Sequence, residues 1–185
     1  ELDEIKYGYL KMIQKARKYI YIQSPYLILD STFIDTLKIA CLSGVDVRVM
    51  IPSKPDHPFV YWASYSYAGE LLKFGAKIYT YGQNAFLHAK TIVIDDSICS
   101  IGTANMDIRS FKLNFEVNVF IYDANVARDM ENQFFVDSEY LSEEALNKKH
   151  RLETDPSSRK DHMEYMPGME QIQSDVCDRV LKEMK

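Results

Sequence analysis

Long apolar runs are missing from this chain of 185 residues: no stretch reaches the roughly 18 consecutive apolar residues that a membrane-spanning helix needs. No charged-then-apolar leader opens it either, so this piece is expected to be soluble. Positive charge is not in excess, since 22 Lys and Arg stand against 27 Asp and Glu for a net charge of -5. That balance gives no general field to draw the chain onto a nucleic acid backbone, and no nucleic-acid partner is expected. Cysteine is scarce. Cys41, Cys99 and Cys177 are odd in number and lack metal-ligand spacing, which argues against a disulfide framework and reads as reduced thiols facing a cytosol. Internal repeats and low-complexity tracts are also absent.

What is present is a 46% hydrophobic chain, enough for one globular domain with a sheet covered by helices. Apolar spacing predicts a helix over 2–18 through Ile5, Tyr9, Met12, Ile13 and Ala16, then a strand over 19–23 stopped at Ser24-Pro25. Asp30-Ser31-Thr32 can cap a helix carrying Phe33, Leu37, Ala40 and Cys41, which Gly44 ends before a strand over 45–51. This β, α, β order predicts a parallel pair of strands. A proline-rich loop leads to a helix over about 60–74 and a strand over 77–81. Further strands are predicted over 88–95, 98–101 and 114–122, with a turn at Asp95-Asp96-Ser97, and Asp123 caps a helix to about Val136. The element order points to an α/β fold, a sheet covered by helices. A domain is expected over 1–147, and a linker with a short helix over 148–185. The start at Glu1, directly in an amphipathic pattern, suggests a piece of a longer protein.

The most informative stretch is Phe86-Leu-His-Ala-Lys-Thr-Ile-Val-Ile-Asp95, in which His88, Lys90 and Asp95 stand as His-x-Lys-x4-Asp. An imidazole can attack phosphorus, and a lysine two residues along a strand faces the same way and can hold phosphate oxygens. Nothing in this set requires a metal, and no cofactor is expected. His57, His150 and His162 lack a lysine at that spacing. Thr103 and Asn105 follow in Gly102-Thr-Ala-Asn105, and Glu116 lies further on.

These positions together resemble the phospholipase D superfamily, whose half-site is His-x-Lys-x4-Asp, then Gly-(Ser/Thr)-x-Asn, then a downstream Glu, and the resemblance implies an α/β fold class with a mixed β-sheet flanked by helices on both faces. More narrowly, the segments 42–51, 54–62 and 102–116 resemble the carboxy-terminal half of bacterial cardiolipin synthases, over roughly residues 1–145. The resemblance implies a catalytic set of His88, Lys90, Asp95, Asn105 and Glu116. It also implies substrate contacts from Lys90, Thr103, Asn105 and Arg109. In this reading His88 is the nucleophile or the general acid, and Glu116 fixes its second nitrogen. Lys90 and Asn105 hold non-bridging phosphate oxygens, and Thr103 adds a hydroxyl. Asp95, of opposite strand parity to His88 and Lys90, reads as structural support near the turn.

The implied reaction is phosphatidyl transfer between two phosphatidylglycerols, making cardiolipin and releasing glycerol. The implied partners are those lipids, a membrane surface reached through the parent protein in the bacterial cell membrane, and a second half-site. That half-site lies upstream in the same chain or in a homodimer. With one histidine, the isolated chain is expected to be inactive. The alternatives are a single-motif phosphodiesterase or nuclease acting as a homodimer, and a non-catalytic phospholipid-binding half. A lone strand histidine is more often structural, but matching partners at five further positions reverse that preference. Asn118 reads as a solvent-face residue, while Asn114 stays open. Phe59, Tyr61, Trp62, Tyr65 and Tyr67 fit either a lipid interface or ordinary core packing. Arg109 and Lys112 fit lipid phosphates or solvated charge equally.

Overall fold

Alternation along Tyr19–Gln23 (β1) sets the layering of the molecule, which is a computed structural model describing residues 3–54, 56–82 and 86–139. Ile20 and Ile22 enter one hydrophobic core while Tyr19 and Tyr21 enter another on the opposite face. A strand covered on both faces must therefore have helices on both sides. Helix α1 (Glu4–Lys15) precedes β1, and a short β2 (Leu27–Ile28) follows it. Then come α2 (Ser31–Leu42), β3 (Asp46–Pro52), α3 (Pro58–Leu72) and β4 (Lys77–Tyr81). The second part holds β5 (Thr91–Ile94), β6 (Ile98–Gly102), β7 (Met106–Asp107), α4 (Ile108–Lys112), β8 (Asn118–Ile121) and α5 (Ala124–Glu139).

The six-stranded sheet runs in the order β4-β3-β1-β5-β6-β8. Strands β4, β3 and β1 are parallel, and β5, β6 and β8 join antiparallel. On one face, α1, α2 and α3 cover Ile20, Ile22, Val47, Val49, Ile51, Ile92 and Ile94. On the other, Ala127 and Phe134 of α5 pack on Tyr19, Tyr21, Met50, Tyr79, Val93 and Cys99. Burying the Phe134 ring stabilises the fold by about 2 kcal/mol. The α/β class is as the element order predicts, and the mixed, doubly covered sheet is as the resemblance to the phospholipase D superfamily implies.

Local signals act where they should. The Asp30 carboxylate accepts the Phe33 N–H at 2.9 Å and caps α2, and Gly44 takes φ +86° just past its end. Asp123 accepts the Asn125 and Val126 N–H groups and caps α5. Asp95 and Asp96 both adopt left-handed φ, 54° and 52°, in the β5–β6 turn. Cys41 and Cys99 are free thiols. Burial pushes both thiols up from their ordinary pKa. The tail expected over 148–185, with Cys177, lies outside the described residues.

Two predicted strands are shorter than expected. Residues 88–90 lie before β5: the Lys90 carbonyl still accepts the Gly102 N–H at 3.3 Å, while the His88 carbonyl accepts the Lys90 ammonium at 2.8 Å. Residues 114–117 are irregular because Thr103 replaces a ladder partner: its hydroxyl accepts the Val117 N–H at 2.9 Å, and its own N–H donates to the Val117 carbonyl at 2.9 Å. Strands β2 and β7, which pair in parallel as Leu27 with Met106 and Ile28 with Asp107, had no periodic signal at two residues each.

Candidate active site

The registers bring His88, Lys90, Thr103, Asn105 and Glu116, but not Asp95, to one end of the sheet. Gln23, the last residue of β1, pairs with Thr91, the first of β5; Thr91 pairs with Ile101; and Gly102 pairs with Asn118. The entry to β5 (His88 and Lys90), the exit from β6 (Thr103 and Asn105) and the entry to β8 (Glu116) therefore converge beyond the carboxyl end of β1. This is where parallel order gives way to antiparallel, the switch point at which an open α/β sheet forms a crevice.

Lys90 is the buried cation of this end, 9% exposed. Burial lowers its pKa, against the opposing fields of Glu116 and Asp107. His88 is exposed, its ring centred 6.2 Å from that of Phe86. Its imidazole has no hydrogen-bond partner among the described residues. The expected His88–Glu116 hydrogen bond is not formed: the Glu116 carboxylate accepts from Asn114 at 3.1 Å and acts electrostatically on Lys90.

Asn105 is positioned from behind. Its N–H donates to the Ser110 hydroxyl at 3.2 Å, and its carbonyl accepts the Asp107 N–H at 2.8 Å. Asp107, itself buried, caps the short α4 by accepting the Ser110 N–H at 2.6 Å. The Asn105 Oδ1 is sealed from solvent and lacks a hydrogen-bond partner among the described residues. Sequence reading missed Ser24, Asp107 and Ser110. Ser24, fully buried after β1, accepts the Met106 N–H at 3.0 Å and so ties the Asn105 loop to the sheet. A Ser at a strand end and Asp-x-x-Ser at a helix start were the available signals.

The remaining expected residues divide. Thr103 already has its hydroxyl on the Val117 backbone, so the donor expected for phosphate is engaged within the fold. Arg109 stands exposed on α4, as does Lys112. Asp95 is at the far end of β5, its carboxylate accepting the N–H groups of Arg17, Lys18 and Tyr19 at 2.6, 2.8 and 2.9 Å. Asn118, expected to face solvent, is instead a clasp. Its amide donates to the Tyr9 hydroxyl at 2.6 Å and its Oδ1 accepts the Ala104 N–H at 3.2 Å. The reason is Gly102, where any Cβ would strike the Val117 carbonyl and the Asn118 side chain, so β6 and β8 approach closely there.

A family model described as "Cardiolipin synthase, PLD-like domain" matches residues 9–137. The chain belongs to this cardiolipin synthase family of phospholipase D-like domains. Cardiolipin synthases related to it include the major cardiolipin synthase ClsA of Bacillus subtilis, 60% identical over 134 residues, which are 72% of this chain and 28% of that protein. The cardiolipin synthase of Staphylococcus aureus strain Mu50 is 59% identical over 143 residues, 77% of this chain and 29% of that protein. The chain thus spans under a third of the length of these cardiolipin synthases. Among solved structures, Nuc of Salmonella typhimurium, a phospholipase D family member, aligns with TM-score 0.61 at 20% identity, over 71% of this chain and 85% of its own. NucT of Helicobacter pylori aligns with TM-score 0.62 at 20% identity, over 74% of this chain and 89% of its own. Those two likenesses show the shared fold. Among the described residues of this cardiolipin synthase-family domain, no helix is long and apolar enough to cross a membrane.

Proposed function

We propose that this chain is the carboxy-terminal catalytic half of a bacterial cardiolipin synthase, transferring a phosphatidyl group from one phosphatidylglycerol to another with release of glycerol. The observation that carries the reading is the buried Lys90 ammonium at the same sheet end as the exposed His88, in a chain of this family. Lys90 and Asn105 supply charge and hydrogen bonds to non-bridging oxygens as negative charge gathers on a five-coordinate phosphorus. A neutral His88 nitrogen attacks phosphorus, forming an N–P bond while the P–O bond to glycerol breaks and the alkoxide takes a proton from the other half's histidine. The hydroxyl of a second phosphatidylglycerol then gives its proton to that histidine and displaces His88, so that cardiolipin and glycerol are the only products. Glu116 steadies the cationic site, and Asp95 supports the fold from the opposite end of β5.

The proposed partner is a second half-site, upstream in the parent protein or in another copy. Supporting this is an apolar strip running through the segment that leads into the edge strand β8, beside Glu116: Phe115, Val117 and Val119 are exposed by 106%, 71% and 56%, with Leu113 and Ile101 exposed nearby. An unpaired sheet edge with so many outward apolar side chains is suited to pairing. The domain boundary near 147 and the membrane location of the parent belong to the same proposal. Thin-layer analysis of phosphatidylglycerol liposomes incubated with the parent protein tests it. Wild type makes cardiolipin and glycerol, and His88→Ala makes neither above background. Phosphatidic acid as the sole wild-type product would replace transfer by hydrolysis.

A further inference from the structure

We propose that the amino-terminal half of α3, together with Phe86, is a bilayer-docking surface that seats the catalytic end of the sheet at the headgroup level of a phospholipid membrane. This rests on the phosphatidyl-transfer reading above. Helix α3 carries a single charged residue, Glu70, in its fifteen positions. Exposed apolar side chains on the outer side of such a helix are stabilised when they meet an apolar medium. Its inner face is covered, with Ser64, Ala68 and Leu71 3%, 3% and 0% exposed. Its outer face is not: Phe59 is 72% and Trp62, one turn on, 38% exposed.

This uncovered face runs on to the catalytic histidine. The Trp62 ring meets Tyr61 at 5.2 Å and Tyr65 at 6.5 Å. Both tyrosines line a shallow hollow that Phe86 closes, and Phe86 lies against His88. An aromatic surface thus reaches from the outer face of α3 to the imidazole. Its composition selects the occupant. Trp and Tyr combine an apolar ring with a polar tip and settle at the membrane–water interface, the depth at which a phospholipid presents its phosphate. Lys54 stands exposed in the loop before α3, where it can meet an anionic headgroup. At about 1.5 Å per residue, α3 is too short to span the hydrocarbon core and lies in the interface plane instead.

Trp62 is the one tryptophan of the chain, so its fluorescence reports this surface alone. The 185-residue chain, mixed with phosphatidylglycerol vesicles, is expected to show a blue-shifted Trp62 emission that brominated acyl chains quench. Phe59→Ser should weaken partitioning about tenfold, the scale of withdrawing one phenyl ring from an apolar phase. An unshifted, unquenched Trp62 at saturating phosphatidylglycerol vesicles would overturn the proposal, including the case where the chain sediments with vesicles through another surface. The two readings separate cleanly. Cardiolipin synthesis by the parent with Trp62 unshifted removes the docking surface and keeps the transferase; Trp62 quenched by lipid with no cardiolipin formed does the reverse.

Discussion

At the scale of single residues, Lys90 shows how position converts an ordinary ammonium into a site. Burial disfavours its charge while the Glu116 and Asp107 carboxylates restore part of it, and the net direction is downward. If Lys90 must be protonated to hold phosphate, activity is lost as pH rises through its pKa. The alkaline limb of kcat/KM then falls below the range of a solvated lysine, near about 10.4. Glu116→Gln removes a stabilising negative charge, lowers the Lys90 pKa further and moves that limb to still lower pH. Lys90→Met should cost roughly 10²–10³-fold in kcat, the scale of one missing donor to a developing oxyanion. A pH profile of cardiolipin synthesis by the parent protein checks both, and a limb unmoved in Glu116→Gln would detach Glu116 from Lys90.

At the scale of elements, the site depends on joints that hold loops between short strands. Asp95 closes the far end of the sheet: its carboxylate gathers three consecutive N–H groups at the α1–β1 junction and thereby ties that junction to the β5–β6 turn. Asp95→Asn keeps the size and leaves at least one of those donors without a charged acceptor. Urea unfolding of the chain should show a loss of about 2 kcal/mol, the worth of a hydrogen bond to a charged group. If Asp95 acted in the chemistry instead, activity would fall with stability unchanged. The second joint lies at the catalytic end, where the Thr103 hydroxyl and the Asn118 amide clamp the loops on either side of Gly102. Helix capping by Asp30 and Asp123, and the turn at Asp95-Asp96, were legible because each depends on residues adjacent in sequence. The clamps were not, since Thr103 and Val117 are distant in the chain and meet only after β6 and β8 pair.

At the scale of the whole molecule, the described unit is a doubly covered sheet whose reactive end is open and whose β8 edge is apolar. The exposed His88 imidazole supplies the nucleophile of the proposed transfer, which needs a second histidine to carry the proton. The isolated chain should therefore turn over no phosphatidylglycerol, and coexpression with the remainder of its parent should restore synthesis. Phe115→Glu, placing a charge at the centre of the strip, should reduce that restored activity at least about tenfold while leaving the chain's own unfolding transition in place. Undiminished synthesis with Phe115→Glu would move the surface that pairs with the second half-site elsewhere.

By itself, the sequence determined the α/β class and the order of the longer helices and strands, and it set His88, Lys90, Asn105 and Glu116 in one motif pattern. Periodicity, caps and motif spacing are local properties of a chain, and reading them needs no fold. Only the tertiary structure decided which of these side chains are free to act. It occupied Thr103 with the Val117 backbone and turned Asn118 inward to Tyr9. It recruited Ser24, Asp107 and Ser110 behind Asn105, and left Glu116 acting on Lys90 rather than bonded to His88. Those outcomes depend on how closely β6 and β8 approach at Gly102 and on the burial that the covering helices impose, and both quantities exist only once distant segments have packed.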